Sequence, residues 1–372
     1  MKKKLLAILL SAAMIATFIP TALAVSYDDT DGHWAEEQIA YWSAKGVVEG
    51  DGTSFNPNGE MTRAQAAAVF ARLLNLNVKG DVSGFSDVAE GAWYTDYIAM
   101  CVAAGIMDGV GNGKMDPNGV LTREQMFVMF ARALGIAPQE TANDEFNDHH
   151  EISNWAEGYV NALSNLGYIN GVGDNNVAPG EDINRASVMA LLDQTIVSYV
   201  TEDGATVEAT EGGVVNILAD DVTVTGEANV TVVVAEEKAN VSMEGYTGEA
   251  EVVVKANDVA VNNAPAGTTV TVTENVTGTT ANGNTVTEDG SVKIEEEANV
   301  PSGGSGSSGG SSGGSNTPSN PNPPASTVVG PNGTVVYPSG TTVMPDGTVI
   351  YPTGTVVTPD GTVILPGADQ VG

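Results

Sequence analysis

The sequence predicts a multidomain chain: an all-α region built from a threefold repeat, an all-β region of solenoid or sandwich type, a Gly/Ser/Pro linker, and a tail of seven-residue repeats. Three observations carry this reading. Trp34, Trp93 and Trp155 recur 59 and 62 residues apart, and Arg63, Arg123 and Arg185 recur 60 and 62 apart, a period that marks repeated supersecondary units. From Val222 to Val272, valines alternate with period two and turn residues interrupt them every 8–12 positions, the pattern of short serial strands. Pro331, Pro338, Pro345, Pro352, Pro359 and Pro366 then fall every seven residues.

The 372 residues suggest about two to three domains. Forty-seven Asp and Glu against 14 Lys and Arg leave a formal charge of −33. A surface so acidic repels nucleic acid and lacks the basic stripes that neutralise phosphates; anionic membranes are disfavoured for the same reason. One cysteine, Cys101, excludes a disulfide framework, and its expected place is the core. Three histidines, His33, His149 and His150, leave little for His-based metal or acid–base chemistry, and no cofactor is expected.

Lys2, Lys3 and Lys4 before the apolar run Leu5–Ile19, with Ala22-Leu23-Ala24 after it, read as a signal peptide over 1–24. Its removal moves the charge from −33 to −36, and no membrane insertion is expected afterwards. Repeat units are expected at 25–80, 81–142 and 143–200. An acidic β-rich region follows at 201–300, then the linker at 301–324 and the heptapeptide tail at 325–372.

Each unit reads helix–loop–helix. The first helix carries Trp34, Ile39 and Trp42, then Trp93, Tyr97, Ile98 and Cys101, then Trp155, Tyr159, Val160 and Leu163, spacings that stripe one face. Gly46, Gly105 and Gly167 are placed to end these helices in left-handed caps. The second helices open at Thr62 with Gln65 and Thr122 with Gln125, two capping boxes, and at Asn184 with Ser187, which lacks the reciprocal partner.

These motifs resemble S-layer homology domains, whose pattern runs Phe-x-Asp, Trp-Ala, two glycines, Phe-x-Pro and Thr-Arg-Ala-Glu. The first unit shows Tyr27-Asp28-Asp29, Trp34-Ala35, Phe55-Asn56-Pro57 and Thr62-Arg63-Ala64-Gln65. The second shows Phe85-Ser86-Asp87, Trp93, Met115-Asp116-Pro117 and Thr122-Arg123-Glu124-Gln125. The third shows Phe146-Asn147-Asp148, Trp155-Ala156, Val177-Ala178-Pro179 and Asn184-Arg185-Ala186-Ser187. The resemblance implies a pseudo-threefold helical module that binds secondary cell-wall polysaccharide, often pyruvylated, in grooves between units.

The site residues so implied are Arg63, Arg123, Arg185, Asp29, Asp87, Asp148, Trp34, Trp93 and Trp155, with no catalytic or metal-binding residue. An Arg just inside a capped helix could join free backbone N–H groups around a carboxylate or phosphate, and indole faces could cover a sugar. The weaker cap at Asn184 predicts the smallest binding loss at Arg185. The alternatives are salt bridges from each Arg to Asp29, Asp87 and Asp148, and core packing for the three Trp. Asp108-x-Val110-x-Asn112-Gly113 approaches a calcium loop, but Val110 spoils a ligand position and no Glu stands at the twelfth.

Within the β-region, short serial runs favour a solenoid over a sandwich. Only Tyr246 offers a ring between residue 200 and the linker, unlike a glycosidase cleft. The tail suits either a narrow β-structure or an extended spacer. Leu365-Pro366-Gly367 lacks the Thr-Gly, apolar span and basic end of a sortase signal. The reading is a secreted, non-enzymatic structural or S-layer-associated protein at the cell wall, its partner an acidic wall polysaccharide, with self or another surface protein as a further partner. An adhesin or scaffold acting through residues 201–372 is the alternative, and a surface glycan hydrolase is the weakest of the three.

Overall fold

The computed structural model describes residues 25–141 and 146–295, together with the backbone of six two-residue strands between 328 and 364. The expected signal peptide and linker lie outside the described residues. Residues up to Asn299 and those from Val300 onward fall into two compact units.

Among the described residues, six α-helices alternate between two roles. Helices α1 (Glu36–Ala44), α3 (Thr95–Ala103) and α5 (Asn154–Asn165) open the repeats, and α2 (Arg63–Leu73), α4 (Arg123–Leu134) and α6 (Arg185–Thr195) close them. Gly46, Gly105 and Gly167 follow the opening helices at φ 71°, 66° and 73°, where a Cβ would be strained. Both capping boxes form reciprocally, whereas Asn184 accepts from the Ser187 amide alone. The closing helices are buried along most of their length, with Phe70 and Phe130 ring centroids 6.4 Å apart.

The striped faces differ from expectation at their first position. Ile39 and Trp42, Ile98 and Cys101, and Val160 and Leu163 are buried, but Trp34, Trp93 and Trp155 are not. Trp34 and Trp93 precede their helices and Trp155 sits on the first turn, so none lies on the core stripe. Cys101 is in the core, where burial pushes its thiol up to about 12.

The three units close into a ring through the residues just before the second helices. Leu121 N donates to Met61 O, Ile183 N to Leu121 O, and Met61 N to Ile183 O, at 2.9, 3.0 and 2.8 Å. No unit is terminal in this cycle, so the pairing that an array leaves open at its ends is satisfied internally.

The β-region is a two-sheet solenoid, settling the choice between solenoid and sandwich. One sheet runs β1 (Ile196–Val200), β3 (Gly213–Ile217), β5 (Val230–Val234), β7 (Ala250–Val254), β9 (Thr269–Val272) and β12 (Ser291–Lys293). The other runs β11 (Asn284–Thr285), β10 (Thr280–Ala281), β8 (Ala260–Asn262), β6 (Asn240–Ser242), β4 (Val222–Gly226) and β2 (Thr206–Ala209). Pairing is parallel except at β11 and β12, which close the far end antiparallel. Register stacks Val215, Val232, Val252 and Val270 in a column between the sheets. Alternation puts Val214, Val233 and Val253 on the opposite face, within the helical core cluster.

Helices and solenoid join without a linker. Helix α6 ends at Thr195 and β1 begins at Ile196, so the boundary expected at residue 200 falls at the end of a solenoid strand. Asn216 Nδ2 donates to Leu73 O (2.8 Å) at the end of α2, and Lys255 Nζ donates to Arg132 O (3.1 Å) near the end of α4. The sheet thus meets the C-termini of all three closing helices: two through side chains that satisfy terminal carbonyls, one through the chain itself.

In the other unit, β13 (Val328–Val329), β14 (Val335–Val336), β15 (Thr342–Val343), β16 (Val349–Ile350), β17 (Val356–Val357) and β18 (Val363–Ile364) each pair antiparallel with the next.

Candidate functional site

The implied Asp and Arg residues converge on one loop per unit, from opposite sides. Asp29 accepts from the amides of Phe55 (2.8 Å) and Asn56 (2.7 Å), Asp87 from Met115 (2.9 Å) and Asp116 (3.0 Å), and Asp148 from Val177 and Ala178 (both 2.7 Å). The Phe55 amide leads in holding Asp29 below the usual carboxylate range. At Asp87 burial pushes upward, but the two amides prevail and the net shift is downward.

Each Arg takes the carbonyl of the same loop, from the preceding unit around the ring. Nε of Arg63 donates to Met115 O (2.7 Å), of Arg123 to Val177 O (2.7 Å), and of Arg185 to Phe55 O (2.9 Å). Among the described residues no Arg–Asp ion pair joins these partners: Asp holds the N–H side of the loop and Arg the C=O side. Burial lowers the pKa of all three guanidiniums, with nearby carboxylates opposing that shift.

The anion hole expected at the helix starts is differently occupied. Arg63 N donates to Gly119 O, Arg123 N to Glu181 O and Arg185 N to Gly59 O, and the next amides bond Pro117 O, Pro179 O and Pro57 O. First-turn amides therefore dock the neighbouring loop instead of standing free. What remains for a ligand is the groove surface between units.

All three motif indoles are exposed, and two of them border grooves. Trp34, Trp93 and Trp155 are 62%, 60% and 54% exposed, against a fully buried Trp42. Trp93 borders a groove with Arg185 and with Glu49, Asp51 and Arg72 of the first unit. Trp34 borders one with Arg123 and with Asn170, Leu191 and Gln194 of the third. Tyr27, a departure from Phe, supports the first groove: its hydroxyl accepts from Gly50 N (3.1 Å) and donates to Ser43 Oγ (3.3 Å). A Cβ on Gly50 would meet the Tyr27 ring at 2.4 Å and one on Gly109 the Phe85 ring at 2.5 Å, which accounts for the second glycine of the first two Gly-x₃-Gly motifs; at Gly171 the nearest atom is the Asn176 carbonyl oxygen at 3.1 Å.

Sequence reasoning passed over a second set of arginines, paired with carboxylates at equivalent places in the first two units. Arg72 Nη2 pairs with Glu49 (2.8 Å) and bonds Tyr97 OH (3.1 Å), and Arg132 Nη1 pairs with Asp108 (2.6 Å). The signal was available: Arg72 and Arg132 each lie nine residues after a motif arginine, and Glu49 and Asp108 each precede the second glycine of a Gly-x₃-Gly. Asp108, first residue of the calcium-like stretch, is engaged by Arg132, and the described residues contain no cluster of three or more acidic, His or Cys ligands.

The S-layer homology domain family matches residues 26–67, 84–127 and 145–189. The S-layer protein sap of Bacillus anthracis is 31% identical over 66% of this chain and 33% of its own length. An S-layer protein of Bacillus thuringiensis subsp. finitimus is 33% identical over 54% of this chain and 25% of its own. The exoglucanase XynX of Acetivibrio thermocellus is 34% identical over 45% of this chain and 16% of its own. The helical ring is thus three S-layer homology domains, and the chain carrying them is a cell-surface protein. It spans a third or less of the length of these relatives, and among its described residues no helix is long and apolar enough to cross a membrane.

Proposed function

We propose that the helical ring anchors this protein noncovalently to the cell wall by binding secondary cell-wall polysaccharide bearing acidic groups, pyruvate or phosphate, in the grooves between units. The observation that carries the reading is the exposure of Trp34, Trp93 and Trp155 at equivalent places in a module whose other large aromatic side chains are mostly buried. Exposed indoles of this kind suit the apolar faces of sugar rings, and a buried guanidinium in a groove supplies charge-assisted bonds to an acidic substituent. Net acidity opposes long-range capture of an anionic polymer, so affinity must come from these short-range contacts.

The solenoid and tail are read as a structural, non-enzymatic presentation of the anchored protein, with self-assembly or another surface protein as its further interaction. The sap match supports this over the hydrolase reading, because it covers more of the chain than the XynX match does. The test is co-sedimentation of the full chain with purified sacculi. Trp34→Ala, Trp93→Ala and Trp155→Ala combined should abolish pelleting while the far-ultraviolet spectrum stays unchanged. Walls stripped of pyruvate or phosphate should retain the protein poorly. Undiminished pelleting of the folded triple variant would end the groove reading.

A further inference from the structure

The grooves share a plan but not a charge set. In the first, Glu49 and Asp51 accompany Arg185, and Arg72 is paired with Glu49. In the second unit the corresponding pair is Arg132 with Asp108. The third unit carries a neutral pair in its place, Asn170 Nδ2 donating to Gln194 Oε1 at 3.1 Å. The tyrosines that face Arg72 and Arg132 across the units, Tyr97 and Tyr159 with cation–ring distances of 5.1 and 5.6 Å, have Gln38 as their counterpart four residues after Trp34.

The arginines differ in the same way. Arg63 and Arg185 each use Nη2 on a carbonyl, Asp108 O at 2.6 Å and Glu49 O at 2.8 Å. Arg123 is 9% exposed and bonds only Val177 O through Nε; its Nη1 and Nη2 have no hydrogen-bond partner among the described residues. Phe127 packs on its face at 5.2 Å. The carboxylates nearest in charge are Asp148, both of whose oxygens are held by amides, and Glu181, and neither lines the groove. A carboxylate needs two N–H donors on one guanidinium edge for a bidentate pair, and Arg123 has them.

Resting on the groove reading above, we infer that the groove of Arg123, Trp34, Asn170 and Gln194 is the anion-selective one, binding a sugar that carries a carboxylate, while the groove of Arg185 and Trp93 takes an uncharged sugar. In the latter, Asp51 would stand against an incoming carboxylate, Glu49 is paired with Arg72, and Arg185 already uses both Nε and Nη2 on carbonyls.

The full chain, labelled with ¹⁵N, should be titrated with a hexoside bearing a 4,6-pyruvate ketal and with the neutral methyl ester of that ketal, following the indole N–H signals assigned by single Trp→Phe variants. The acid should shift Trp34 at concentrations at least tenfold below those that shift Trp93, and the ester should lose that preference. Asn170→Asp, which adds a carboxylate to the groove wall, should weaken the acid response of Trp34 about tenfold more than the ester response. Equal responses of Trp34 to acid and ester, or prior movement of Trp93 by the acid, would overturn the assignment while leaving the grooves as binding sites. If solubilised wall polysaccharide moves none of the three indoles although the protein still pellets with sacculi, the groove reading fails and this inference falls with it.

Discussion

Ala178 occupies the place that Asn56 and Asp116 hold in the first two units, directly before the loop proline, and all three have positive φ (49°, 57° and 55°). Asn and Asp tolerate the left-handed region through local side-chain bonding, whereas Ala has only the steric penalty of its Cβ. Ala178→Gly should therefore stabilise the protein by about 0.5–1 kcal/mol after the entropy of glycine is deducted. A denaturant titration that finds no change or a loss would show that the Asp148 clamp already absorbs the strain. The motif arginines make the opposite case, because each satisfies a buried carbonyl in the next unit. Arg63→Ala should lower stability by roughly 1.5–3 kcal/mol, the range for bonds from charged groups. Binding comparisons on such variants are meaningful only below their melting temperature. Position 63 shows what a motif can hide: its spacing is plain in the sequence, but its partners, Met115 and Asp108, lie 52 and 45 residues away.

At the scale of elements, the capped starts of α2, α4 and α6 were legible because capping is local: a Thr and a Gln three residues apart suffice. What lies at the other ends of these helices was not, since Asn216 reaches Leu73 across 143 residues and Lys255 reaches Arg132 across 123. Gly135 ends α4 at φ 73°, and a Cβ there would meet Val253 Cγ1 of β7 at 2.3 Å. Gly135→Ala should cost about 2–4 kcal/mol through backbone strain and overpacking, and adding Val253→Ala should recover the steric part, as a double-mutant cycle would show. Burial lowers Lys255 from 10.5 to about 8. The unfolded chain then binds more protons than the folded one between about pH 8 and 10.5, so stability should rise with pH across that window. The rise should be absent from Lys255→Met when its melting temperatures are compared with those of the parent at each pH. Equal slopes for the two proteins would mean that the amine is better solvated than its position indicates.

For the molecule as a whole, composition divided the chain at residue 200, beyond which no Trp, Phe, His or Arg occurs, whereas helix gives way to sheet slightly earlier, between Thr195 and Ile196. It could not reveal that the two fold against each other, because a strand whose two faces are both buried reads as a continuous valine run whatever covers it. Val230–Val234 is such a run: Val232 and Val234 enter the solenoid core, while Val233 joins the helical cluster. The linkage predicts cooperativity. A fragment of residues 25–295 should melt in one transition, coincident by helical ellipticity and by the near-ultraviolet signal of the Trp42–Tyr199 pair, whose rings meet edge-on at 5.5 Å. Ending the fragment at Thr195 removes the Asn216 and Lys255 contacts and uncovers the core against Val214, Val233 and Val253. Two buried hydrogen bonds and several valines together contribute roughly 3 kcal/mol or more. A module of this size should then melt about 10 °C lower. If 25–295 instead shows two separate transitions and 25–195 melts unchanged, the solenoid is only tethered to the ring. If the linkage holds, tension on the chain would reach the grooves proposed to bind the wall through α2, α4 and α6 together.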